Sequence, residues 1–302
     1  MKRKVIQLAG RTLIVSLPSK WTKQYKIRKG DELEVKEHGK NILYSSQGTQ
    51  EEGRITMELE GDRRLIERKV SVAYKRGFDE LDLHFKDPKV MSIIKDEINK
   101  SIGFEIVQQG RNSCLVKNIA ETIESEFDNL LRRAFLITLE LADNSLEAIN
   151  TEEYEKLSEL KIAELTNDKF TNLCKRILNK KGFKDPKKTS VMYCVVWELE
   201  KIADQYEHIC NLLEHKKKCQ LSKHTLSLFK EVNNFFRLFY ELFYKYDETQ
   251  ALVFANKAKD LQKKTYNSLQ NPPNEEIKLI HHLDILVMRI YEIAGPFYAL
   301  QF

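Results

Sequence analysis

The stretch GRTLIVSLPSKW, residues 10–21, decides the fold of the N-terminal part of this chain. Its apolar run follows a turn signal at Gly10 and ends at Pro18, which cannot donate a hydrogen bond to a neighbouring strand. Ser19 then stands where the cap of a short helix is expected. Together with the short apolar runs on either side, the stretch predicts a small β domain over residues 1–46.

The positive charge of the chain is concentrated in this domain. Residues 1–50 contain eleven Lys or Arg and four Asp or Glu, a net charge of +7 within a chain total of +5. Such an excess favours a site for a polyanion, and a solvated basic surface without a partner is the alternative. A unit of fewer than about 50 residues buries little apolar surface alone, so we expect it to form a homodimer.

Glycine separates the rest of the chain into two parts. Nine of the eleven glycines occur at or before Gly110, and glycine is unfavourable inside helices. Residues 47–53 are polar and predict a linker. Residues 54–119 predict a small α/β module, and residues 120–302 predict a bundle of six long helices. The predicted fold class is therefore a multi-domain α+β protein.

The predicted elements follow the hydrophobic periodicity and the Gly, Pro and Asp boundary signals. In the α/β module the strands cover 55–60, 79–85, 104–109 and 113–118, and the helices cover 62–76 and 88–101. The six helices of the bundle cover 120–149, 152–181, 188–217, 222–246, 248–270 and 274–302. Six antiparallel helices divide into two three-helix repeats, about 120–217 and 222–302.

Several classes of protein are disfavoured by the composition. No run of about eighteen uncharged apolar residues occurs, so no membrane insertion is expected. The five cysteines include no Cys-x-x-Cys pair, which is typical of free thiols buried in a reducing cytoplasm. The sequence contains no Gly-x-Ser-x-Gly, His-Glu-x-x-His or phosphate-binding P-loop motif, so we expect no enzymatic activity.

Two acidic pairs in the first three-helix repeat are the candidates for a metal site. Glu164 and Asp168, and likewise Glu200 and Asp204, are one helical turn apart. The apolar periodicity predicts that both pairs lie on the outward faces of their helices. If those faces are adjacent, four carboxylates converge, and divalent or iron-type cations prefer such oxygen ligands. His208 could add a nitrogen ligand, and a solvated acidic surface is the alternative reading.

The N-terminal residues resemble a known DNA-binding domain. The stretch over 10–21, followed by IRKGDELEV at residues 27–35, is similar to the AbrB/SpoVT swapped-hairpin domain. The resemblance implies that two chains interleave their hairpins and bind double-stranded DNA through loop cations. The candidate DNA-contacting residues are Arg3, Lys4, Arg11, Lys20, Lys23 and Lys26.

The helical part resembles a second family. WELEKIADQYEHI, residues 197–209, is similar to the Leu-Glu-Arg-Ile-Gly-Asp signature of PhoU, a phosphate-uptake regulator built from two three-helix repeats. The resemblance implies metal ions on Glu/Asp-x-x-x-Asp motifs, which both acidic pairs of the first repeat match. The second repeat departs from the motif at Asn256 and Met288, which puts a second metal cluster in doubt.

The order of the three parts resembles that of archaeal PhoU-related regulators. This resemblance implies a cytoplasmic, DNA-binding transcriptional regulator of phosphate uptake whose helical part senses metal, phosphate status or a phosphate transporter component. The alternative is an adaptor that contacts a phosphate ABC transporter without binding DNA, so that the basic domain only dimerises. A metal-dependent hydrolase is a third and weaker alternative.

Overall fold

The structure is a computed structural model in which the chain forms two compact units, Met1–Glu52 and Gly53–Phe302. The described residues are 2–8, 10–38, 41–46, 53–120, 126–215, 221–270 and 276–302. The predicted linker over 47–53 lies outside them except for Gly53, as does Cys219. The predicted multi-domain α+β class is confirmed.

The N-terminal unit contains two separate antiparallel ribbons and one short helix. Its elements are β1 (Ile6–Leu8), β2 (Thr12–Ile14), α1 (Ser19–Gln24), β3 (Leu33–His38) and β4 (Asn41–Ser46). Strand β1 pairs with β2, and β3 pairs with β4. Gly10 lies in the β1–β2 turn with φ 76°, a conformation that favours glycine. The predicted Ser19 cap is wrong, because Ser19 is the first helical residue and follows Pro18.

The apolar side chains of this unit remain accessible. None of its residues whose side chains the structure describes is buried. Val35 lies opposite Tyr44, and Ile42 lies two residues along the same face of the β3–β4 ribbon; Val35 is 51 % and Ile42 59 % exposed. An isolated two-stranded ribbon is only marginally stable in water. The unit therefore lacks the covering layer that its apolar face requires.

The second unit begins with a four-stranded mixed sheet covered by two helices. Its elements are β5 (Arg54–Glu58), α2 (Arg63–Arg76), β6 (Glu80–His84), α3 (Val90–Ile98), β7 (Phe104–Gln109) and β8 (Ser113–Asn118). The strand order is β5-β6-β8-β7, with β5 and β6 parallel and the other pairs antiparallel. Asp62 caps α2 by accepting a hydrogen bond from the Leu65 N–H at 2.8 Å. Each element lies within three residues of its predicted bounds.

The helical part consists of two groups of three helices. The first group is α4 (Phe127–Asn150), α5 (Lys156–Lys181) and α6 (Thr189–Leu213). The second group is α7 (Lys223–Tyr244), α8 (Glu248–Gln270) and α9 (Ile277–Glu292), followed by α10 (Ala294–Gln301). The helices of each group pack on one another, and the groups meet where α4 contacts α7 and α6 contacts α9.

The last predicted helix, 274–302, is interrupted. Helix α9 ends at Glu292, and α10 begins at Ala294. Pro296 lies four residues after Glu292 and has no N–H to donate to its carbonyl, which accounts for the break. The prediction of one continuous helix is therefore wrong at this point.

A buried guanidinium joins the sheet part to the helical part. Arg176 of α5 is 4 % exposed and donates to the Tyr74 and Phe78 carbonyls at 2.9 and 2.7 Å. Its other nitrogen lies 2.6 Å from a carboxylate oxygen of Asp79. These acceptors lie at the C-terminal end of α2, where the last helical carbonyls lack intrahelical donors. Residues 54–119 and 120–302, which the sequence separates, are thus packed into one unit.

Three of the four described cysteines are buried free thiols, as predicted. Burial raises the pKa of Cys114 to about 11 and, together with nearby negative charge, the pKa of Cys210 to about 12. Cys194 is exposed instead, so the expectation of uniformly buried thiols is wrong at this position.

The exposed ribbon face leads to a prediction about assembly. Val35→Asp places a charge on the apolar face of β3–β4, so the full-length chain should change from a dimer to a monomer in analytical ultracentrifugation. Leu252→Asp is the control, because Leu252 is 63 % exposed on α8 and should leave the mass unchanged. A wild-type chain that sediments as a monomer at every concentration would contradict the expectation.

Candidate functional site

The six cations predicted to contact DNA are all exposed. Arg3 and Lys4 precede β1, Arg11 lies in the β1–β2 turn, and Lys20 and Lys23 lie on α1. The sixth cation, Lys26, follows α1 with φ 53°, which directs the chain out of the helix. None of the six forms an ion pair with another described residue. Their charges are therefore available to a polyanion.

The structure brings together three of the four carboxylates predicted to bind metal. Glu164 and Asp168 lie one turn apart on α5, and Asp204 lies on the adjacent helix α6. Each offers one oxygen, and these oxygens all lie within 4.8 Å of one another. We call these three residues the carboxylate cluster. Their predicted convergence across two helices agrees with this geometry.

The predicted outward orientation of Glu164 is wrong. Glu164 is 7 % exposed, whereas Ile162, assigned to the buried face, is 67 % exposed. The inward face of α5 instead includes Asn167, which donates to the Thr138 hydroxyl at 2.8 Å and to the Ala134 carbonyl at 2.9 Å. Polar partners on α4 thus replace the apolar contacts that the periodicity presumes, and this rotates α5 relative to the prediction.

Burial and mutual repulsion alter the protonation of the cluster. Burial raises the pKa of Glu164 to about 8, and the negative charges of Asp168, Glu207 and Asp204 contribute to that increase. The pKa of Asp168 is also raised, first by burial and then by Asp204. Three negative charges this close are mutually unfavourable. A divalent cation among them would remove the repulsion, so the donor set fits a hard metal ion.

Glu200 does not join the cluster. It forms an ion pair with Lys175, whose side chain is fully buried, and its other oxygen lies 3.5 Å from the Lys201 ammonium. Lys201 also contacts Asp204 at 2.6 Å. Burial lowers the pKa of Lys175, with Lys75 adding to the effect. The assignment of Glu200 as a fourth ligand is thus replaced by a role as counterion to two lysines.

The two lysines are functional residues that the sequence pattern did not reveal. Lys175 follows Asp168 by seven residues, which places both on one face of α5, so its position was visible in the sequence. Both ammonium groups lie near the ring of Trp197, at 5.0 Å for Lys175 and 5.6 Å for Lys201 from the ring centroid. The acidic pairs are therefore accompanied by built-in positive charge.

His208 is not brought to the carboxylate cluster. Its ring stacks on His282 of α9 with centroids 5.8 Å apart, and its Nδ1 lies 3.4 Å from the Gln205 amide nitrogen. In the second helical group, Asp260 lies 3.1 Å from Lys264, and Glu292 lies 4.0 Å from Arg289. The described residues contain no second cluster of metal-ligating side chains.

The comparisons with known proteins identify the N-terminal unit. It is a MazE/AbrB-type antitoxin-like domain, a class that fits a DNA-binding regulator. Residues 6–47 match the family model described as "Antidote-toxin recognition MazE, bacterial antitoxin". No curated protein and no solved structure matches this chain. The match therefore concerns the first unit alone.

Across the described residues, no helix has the length and apolar character needed to cross a membrane.

The buried carboxyl of Glu164 predicts a specific pH dependence. Its folded pKa of about 8 exceeds its ordinary value of 4.5, so the folded state holds the proton more tightly. Without metal, the free energy of unfolding should fall by roughly a few kcal/mol as the pH rises from about 4.5 through 8. Glu164→Gln should flatten this dependence in urea titrations measured across that range.

Glu159→Gln provides the matched control, because Glu159 is exposed on the same helix and should leave the profile unchanged. An unaltered slope in Glu164→Gln would show that this carboxyl is not protonated in the folded protein at neutral pH.

Proposed function

We propose that this protein is a non-enzymatic, DNA-binding transcriptional regulator of phosphate uptake whose helical part is a PhoU-like, metal-dependent sensor. The DNA-binding half of the proposal rests on one observation. A MazE/AbrB-type domain carries six exposed cations that have no ion-pair partner among the described residues. Cations of this kind bind the DNA backbone by releasing its condensed counterions.

Dimerisation is part of this proposal. The exposed apolar face of the β3–β4 ribbon needs a cover, and a second copy of the same face is self-complementary. A dimer doubles the number of cations presented to the duplex, which multiplies the electrostatic affinity and makes it steeply salt-dependent. Paired domains also favour pseudo-palindromic operators, because the symmetry of the protein is then matched by that of the DNA.

The sensor half of the proposal draws on three features. Residues 197–209 resemble the PhoU signature. The helices form two groups of three, and α5 and α6 of the first group bring Glu164, Asp168 and Asp204 together. Because deprotonated carboxylates bind the metal, its affinity should depend on pH through Glu164. Metal binding would pin α5 against α6, so the bundle would exist in a metal-bound and a metal-free state.

The DNA-binding half has a direct test. We expect the full-length chain to bind duplex DNA with an affinity that falls steeply with salt. Substituting Arg11, Lys20 and Lys23 together by Ala should weaken binding and reduce the slope of log K against log salt by about one unit for each phosphate that is no longer neutralised. The triple substitution Lys230→Ala, Lys259→Ala and Lys263→Ala is the control, because it removes the same charge from exposed positions on α7 and α8.

Equal effects of both triple substitutions would mean that net charge alone drives binding. No binding of the wild-type chain at any salt concentration would remove the regulator and leave the alternative, an adaptor that contacts a phosphate transporter component through the helical part.

The metal site has an independent test. Mn²⁺ titrated into the full-length chain in a calorimeter should bind more tightly at pH 8 than at pH 6, because Glu164 must lose its proton. Asp204→Asn should weaken the binding at least about tenfold. Asp260→Asn is the control, since Asp260 lies in the second helical group next to Lys264. Unchanged affinity in Asp204→Asn would exclude the carboxylate cluster as the site.

A further inference from the structure

A cleft between the sheet part and the helical part has no role in the proposed function. One wall is the face of α2 that includes Arg64, Arg68 and Lys75, and the other is the face of α6 that includes Trp197 and Lys201. Both helices pack on α5, which lies between them. The cleft has a volume of about 490 Å³, within the size range of sites for small organic ligands.

The acidic side chains of the cleft are already paired. Glu67 accepts from Arg63 at 2.7 Å, and Glu97 lies 3.5 Å from the Lys100 ammonium. Glu200, the third carboxylate in the cleft, is held by Lys175 and Lys201. These carboxylates therefore contribute little free negative charge to the cleft.

The cations of α2 are in the opposite situation. Arg64, Arg68 and Lys75 form no ion pair with any described residue. Lys75 is only partly exposed, at the inner end of the row. Its pKa is lowered first by burial, and the charges of Lys201 and Arg68 add to that effect, while Asp168 and Glu97 oppose it. An anion between these cations would relieve their repulsion and compensate for the reduced hydration of Lys75.

The shape of the site distinguishes a small ligand from a nucleic acid. The Asn179 side chain donates to the Lys75 carbonyl at 2.7 Å, and this fixes α2 on α5 below the cleft. Lys75 is recessed, so a duplex backbone would contact the exposed Arg64 and Arg68 without reaching it. A phosphate group can enter between the walls and contact both rows of cations. Trp197, 42 % exposed, provides an aromatic wall beside it.

We propose that the cleft between α2 and α6 binds a phosphate-bearing small molecule of about the size of a mononucleotide, with its phosphate between Arg68, Lys75 and Lys201. The ligand is recognised by charge-assisted hydrogen bonds, in which Arg68 and Lys75 have no competing protein carboxylate among the described residues. This inference is independent of DNA binding by the N-terminal unit and of metal binding by the carboxylate cluster.

Calorimetric titration of the full-length chain without DNA or metal tests this assignment. We expect saturable binding of adenosine monophosphate, competition by inorganic phosphate, and no binding of adenosine. Lys75→Met and Arg68→Ala should each weaken the binding about tenfold or more. Lys95→Met is the control, because Lys95 is an exposed lysine on α3 that does not line the cleft. Arg68 is exposed, so its variant reports even if Lys75→Met fails to fold.

The outcomes separate clearly. Saturable binding that both variants abolish and the control keeps supports the assignment. Adenosine binding as tightly as its monophosphate would overturn it, because the phosphate would then contribute nothing. Absence of binding by either phosphate compound at millimolar concentration would also overturn it. A duplex DNA that binds the wild-type chain and binds more weakly to Lys75→Met would assign the cleft to nucleic acid instead.

Discussion

The second unit depends on the burial of one permanent charge. The guanidinium of Arg176 cannot lose its proton in a protein, so its burial is tolerable only where acceptors surround it. The carbonyls at the end of α2 and the carboxylate of Asp79 provide them. Because the negative end of the helix dipole also faces this cation, α2 is held against α5 by charge as well as by packing. The position of α2 beside α6, and with it the cleft, follows from this contact.

Much of the architecture was predictable because glycine and proline mark its boundaries. Asp62 begins α2 and Gly77 ends it with φ 97°, so both ends of that helix could be read from single residues. The rotation of α5 could not, because a hydrophobic stripe was assumed where Asn167 makes buried polar contacts. Pro296 shows a different kind of error: its effect on α9 was readable from the sequence, but the general helical pattern outweighed it.

The candidate sites show the same division between local and long-range information. Helical spacing was sufficient to pair Glu164 with Asp168, and the proximity of Asp204 followed from the packing of consecutive helices. The diversion of Glu200 to Lys175 depends on side chains from two helices competing for the same partners. The cleft was invisible in the sequence because Lys75 and Lys201, which flank it, are separated by more than a hundred residues and meet only through α5.

The open face of the N-terminal unit has a consequence for how the chain behaves at different abundances. A domain that completes its core with a second copy is stabilised by mass action, so its folded fraction rises with protein concentration. The second unit has its own buried core and does not share this dependence. At low abundance the chain would therefore keep its helices folded while its N-terminal domain loses cooperative structure. Synthesis rate and turnover would then set a threshold for occupancy of an operator, before any ligand is bound.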